Sequence, residues 1–136
     1  MEHEIVLVQV PSSAAYISVV RHAVAGIALR MSFTRQEVSD IQLAVGEACN
    51  NAVKHGVECG HPVKVRCRIC DSNLRVEITN RYCGERPCRP IGSKPEPHQY
   101  NEGGMGVYLM KRLVDSVQFR WGKSSATVCL TKNVRH

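Results

Sequence analysis

The sequence predicts an α+β fold, a two-layer α/β sandwich whose mixed, mostly antiparallel sheet carries helices on one face. Three observations lead there. Three stretches place apolar residues at helical spacing, four shorter ones alternate apolar with polar residues behind a short strand-like run at the start, and the two kinds are partly segregated along the chain. At 136 residues the chain suits a single domain, 1–136, able to bury a core without disulfides or metal. A composition of 43% hydrophobic and 22% charged residues excludes a disordered or fibrous chain.

Glu4 to Val10 reads as a first strand, halted by Pro11, and Ser12 and Ser13 are good caps for the helix behind it. Ile17, Val20, Val24, Ile27 and Met31 give that helix an apolar stripe. Thr34-Arg35-Gln36-Glu37 is a capping box, and the helix it opens has a stripe of Val38, Ile41, Val45, Ala48 and Ala52 before Gly56 stops it. The period then becomes two. Val63, Val65, Cys67 and Ile69 alternate with Lys64, Arg66 and Arg68, and a turn at Asp71-Ser72-Asn73 leads to Leu74, Val76 and Ile78. One face of this hairpin is apolar and the other basic, so helices should cover one side only. Residues 81–103 hold four prolines and three glycines and read as a long loop, a length that usually serves function. Val107, Met110 and Val114 then mark a third helix. A closing hairpin pairs Val117, Phe119 and Trp121 with Ala126, Val128 and Leu130.

Lys and Arg exceed Asp and Glu by 18 to 12, a net charge of +6 that attracts anions without specifying nucleic acid. Basic residues on the open sheet face have no aromatic partners between positions 63 and 79, so base stacking is not expected there and no direct nucleic-acid role is assigned. An acidic protein partner suits such a face equally. No run approaches the length of a membrane span, and the start, Met1-Glu2-His3-Glu4, does not read as a signal peptide. A cytoplasmic protein with seven reduced cysteines is the simplest expectation. Cys67 and Cys70 invite a zinc reading, but residues three apart on a strand face opposite ways.

Two features carry candidate chemistry. On the second helix Glu47, Asn51 and Lys54 share one face, with His55 beside them, at the border of the apolar stripe. A carboxylate there suits a general base, and an amide oxygen one turn away suits Mg²⁺. By spacing alone the same stripe is an ordinary solvated helix face. Gly103-Gly104-Met105-Gly106 precedes the third helix, where backbone approach and free N–H groups favour phosphate. It is neither a P-loop nor a dinucleotide fingerprint.

Taken together, Glu47-Ala48-Cys49-Asn50-Asn51-Ala52-Val53-Lys54-His55-Gly56 resembles the N-box of the GHKL (Bergerat-fold) ATPases, and most closely that of the bacterial anti-sigma-factor serine kinases. Gly104-Met105-Gly106-Val107-Tyr108-Leu109-Met110 is similar to their second glycine box, and the element order agrees over nearly the whole chain. The resemblance implies ATP and Mg²⁺ as cofactors, Glu47 as general base and Asn51 as Mg²⁺ ligand. It implies nucleotide contacts from Lys54, His55, Asn80, Gly84, Lys94, Gly104, Met105, Gly106, Val107 and Thr127, with an ATP lid over residues 86–103. It also implies a serine of an anti-anti-sigma (STAS-domain) protein as phosphate acceptor, a sigma factor as sequestered partner, and a homodimer. Arg21, expected on the exposed side of the first helix, falls where the family meets its partners.

The chain departs from the family's Asp-x-Gly-x-Gly, which here reads Asn80-Arg81-Tyr82-Cys83-Gly84. Asn80 offers a donor as well as an acceptor to a base, so it should discriminate less than an aspartate, and Tyr82 stands where the family has bare backbone. The family's Gly-Thr-Thr reads Ser125-Ala126-Thr127. These departures leave open a partner-switching protein of the same fold with altered or lost nucleotide binding.

Overall fold

A computed structural model describes residues 4–56, 60–81 and 105–135. Strand β1 (Glu4–Val10) ends at Pro11, and Ser13 caps a short 3₁₀ turn through its side chain, Oγ accepting from the Ala15 amide. Helix α1 (Ile17–Leu29) buries Val20, Val24, Ala25 and Ala28. Helix α2 (Arg35–Gly56) begins with the reciprocal bonds of a capping box. The Glu37 amide donates to Thr34 Oγ1 at 3.1 Å, and the Thr34 amide donates to Glu37 Oε1 at 2.8 Å. All five residues of the expected α2 stripe are buried.

Strands β2 (Val63–Ile69) and β3 (Asn73–Arg81) form the first hairpin; helix α3 (Met105–Leu113) precedes the second, β4 (Ser116–Trp121) and β5 (Ser125–Asn133). The strand order is β1-β2-β3-β5-β4. Each described pairing is antiparallel, so the described residues include no parallel pair where a mixed sheet was expected. The physical reason is the last hairpin: β5 inserts between β3 and β4, which places β4 at the edge, antiparallel to its own neighbour.

Val63, Val65, Cys67, Leu74, Val76, Ile78, Val128 and Leu130 point to one side and meet Val24, Ile41, Val45, Ala48 and Met110 from the helices in a single core. The other side of the sheet has no described helix against it. Burial pushes the Cys49 thiol up to about 12, with help from the neighbouring Cys67 charge, and the Cys67 thiol up to about 11. These two cysteines are core residues. Lys132 reaches back to cap the end of α3, its Nζ donating to the Leu113 carbonyl at 2.8 Å. No described helix is long and apolar enough to cross a membrane.

Candidate active site

Helix α2 positions the central pair. Its capping box fixes where the helix starts, and the buried stripe fixes its rotation, so Glu47 and Asn51 both face the opening turn of α3. Their meeting point is Gly106. A Cβ built there would lie 2.9 Å from Glu47 Oε2 and 3.9 Å from Asn51 Oδ1. The space that any side chain at 106 would fill is taken by the Glu47 carboxylate, with the Asn51 amide oxygen at van der Waals distance. Met110, fully buried one turn further along α3, locks this approach.

The electrostatics of the pair follow from its position. The first turn of α3 offers backbone N–H groups with no intrahelical acceptor and the positive end of the helix dipole. Glu47 is half-buried against that turn, whereas Asn51 is only 7% exposed. Asn51 Nδ2 is buried without a hydrogen-bond partner among the described residues, an orphan donor that costs stability unless an acceptor reaches it. Asn80, 3% exposed on β3, has the same orphaned Nδ2. Hard oxygen donors beside the opening turn of a helix suit Mg²⁺ with phosphate, so the residues present fit the implied cofactors.

Residues 10–132 match the family described as Histidine kinase-like ATPase domain. Serine-protein kinase RsbW of Bacillus velezensis is 33% identical over 132 residues, 91% of this chain and 82% of the relative. RsbW of Bacillus subtilis is 32% identical with the same coverage. This chain belongs to the RsbW-type serine-protein kinases of the histidine kinase-like ATPase family. Two solved structures share the fold. The RsbU and RsbW domains from Mycobacterium tuberculosis superpose with a TM-score of 0.71 at 18% identity, over 98% of this chain and 33% of that longer one. The SiaB–SiaC complex from Pseudomonas aeruginosa gives a TM-score of 0.65 at 13% identity, covering 93% and 88%.

The remaining expected site residues of this RsbW-type chain divide into three groups. Val107 is half-buried against the core on α3, and Lys54 is exposed on α2. Gly84, Lys94, Gly104 and Tyr82, the lid at 86–103, and the side chains of His55 and Met105 lie outside the described residues.

Two placements differ from expectation. Thr127 lies on the opposite face of the sheet from Asn80. In β5, Ala126 pairs with Asn80 and shares its face, while Thr127 pairs with Thr79 and exchanges a 2.8 Å hydroxyl hydrogen bond with it on the outer face. The register between β3 and β5 decides this, so the residue beside Asn80 is Ala126. Arg21 is half-buried rather than on the exposed side of α1. It lies across α2 at Gly46, where a Cβ would meet its Cδ at 3.2 Å, and its Nε is buried without a partner among the described residues. Gly46, adjacent to Glu47, was not singled out by motif reading. Its signal was available as the small residue that a helix–helix crossing requires.

Proposed function

We propose that this chain is a cytoplasmic, ATP-dependent serine kinase and anti-sigma factor, which phosphorylates a serine of a STAS-domain anti-anti-sigma partner and sequesters a sigma factor. The observation that carries this reading is the convergence of Glu47 and Asn51 on Gly106. The general role draws support from the RsbW relatives and from the fold shared with SiaB. Mg²⁺·ATP, when bound, supplies the transferable phosphoryl group and neutralises its charge. Asn51 would offer Oδ1 to the metal, and the α3 amides at Met105, Gly106 and Val107 would hold phosphate oxygens. Glu47 would accept the proton of the partner's serine hydroxyl, held in place by its contact with α3. Asn80 would face the base with an amide that both donates and accepts. Arg21, wedged between α1 and α2 next to Glu47, would present its guanidinium end to the docked partner. As in the implied family pattern, the working unit would be a homodimer.

Phosphate transfer from labelled ATP to the STAS partner tests the assignment. Glu47→Ala is expected to keep nucleotide binding and to lose transfer by a factor on the order of a hundred or more. Transfer at the wild-type rate would remove Glu47 from its role.

A further inference from the structure

The face of the sheet opposite the helices has a composition that the nucleotide site does not explain. Register aligns its residues in rows across the strands. Ile5, Arg68 and Arg75 share one row, Leu7, Arg66 and Glu77 the next, and Gln9, Lys64, Thr79 and Thr127 the third, closed by Arg120. Within these three rows five cations therefore stand with one carboxylate, Arg81 adding a sixth beyond them, and Arg120 already pairs with that carboxylate at Glu77. Lys64, Arg66 and Arg120 are exposed, and Arg68 and Arg75 are half-buried. Arg68 sits directly opposite Arg75, and like charges in that relation destabilise an antiparallel pair. Beside the cations, at the β1 margin, Ile5 is 45% exposed and Leu7 is 73% exposed.

We infer that this outer face docks an acidic segment of a protein partner that also carries aliphatic residues. Its carboxylates meet Arg66, Arg68 and Arg75, and its aliphatic side chains cover Ile5 and Leu7. Charge complementarity selects the occupant. A second copy placed face to face would oppose the same cations and be repelled. Nucleic acid would leave Leu7 and Ile5 unused, and the described residues of this face include no aromatic ring on which a base could stack. Between the charged margins Thr79 and Thr127 are bonded to each other, and the Arg75 guanidinium lies over Cys129, donating to its Sγ at 3.8 Å. The surface lies on the opposite side of the sheet from Glu47 and Asn51, so the inference stands independently of the nucleotide reading.

The test uses the full chain and a fluorescein-labelled synthetic peptide of glutamates and leucines, read by anisotropy. A single-stranded oligonucleotide and phosphatidylglycerol vesicles serve as competing anions. The peptide is expected to bind best, to weaken with added salt, and to lose affinity by about tenfold or more in Arg66→Glu/Arg68→Glu. Leu7→Ser should weaken it by a smaller factor. Should the double variant fail to fold, Lys64→Glu carries the same prediction on an exposed position. No peptide binding, equal binding by wild type and the charge reversals, or stronger binding of the oligonucleotide or the vesicles would overturn the inference.

Discussion

At Gly106 the absent side chain has a specific consequence: the carboxylate of Glu47 occupies the place of a Cβ. Alanine there would press on Oε2 at 2.9 Å and on little else, because the other near atoms lie 3.9 Å away. Gly106→Ala should therefore lower phosphate transfer on the order of tenfold to a hundredfold through displacement of one group, with Tm changed little. A fully active variant would show that Glu47 moves aside without cost. The buried thiols give a second test. Cys49 titrates at about 12 and Cys67 at about 11 in the folded chain against an ordinary 9.0, so their contribution is complete below about pH 9 and is lost as pH rises towards those values. Urea denaturation should show an alkaline loss of stability that shrinks in Cys49→Ala; an unchanged loss would assign it to other groups. At this scale the sequence was partly legible. That Glu47 and Asn51 share a helix face could be read from their four-residue spacing. Arg21 could not be placed, because a gap on another helix, at Gly46, draws it inward. Thr127 could not, because its face depends on register with β3.

Among the elements, α2 has the most to fix, since it supplies one side of the core and both central polar groups. Its start is set by the Thr34–Glu37 box. Thr34→Ala should cost about 1 kcal/mol in urea denaturation, with a smaller loss for Glu37→Gln, which keeps an acceptor. No loss for Thr34→Ala would mean that packing alone positions the helix. The capping box, the α2 stripe and both hairpins were readable because each rests on local periodicity. The all-antiparallel sheet was less so, since the insertion of β5 between β3 and β4 is a choice among long-range pairings.

For the whole molecule, the two layers separate two kinds of surface. Helices cover one face of the sheet and bring Glu47, Asn51 and the start of α3 together; the other face keeps its charges in solvent. The resemblance carried in the N-box and the second glycine box led to the family, but it could not show that an orphaned Asn51 amide and a side-chain-free position at 106 face each other across α2 and α3. That arrangement arises only when both helices pack on the same core through Ala48, Ala52 and Met110. The most direct test of its purpose is calorimetric titration of ATP, with and without Mg²⁺, into wild type and Asn51→Ala. The account predicts Mg²⁺-dependent binding to the wild type and loss of that dependence in the variant. Wild type that takes up no nucleotide, or Asn51→Ala that binds Mg²⁺·ATP as tightly as wild type, would contradict it.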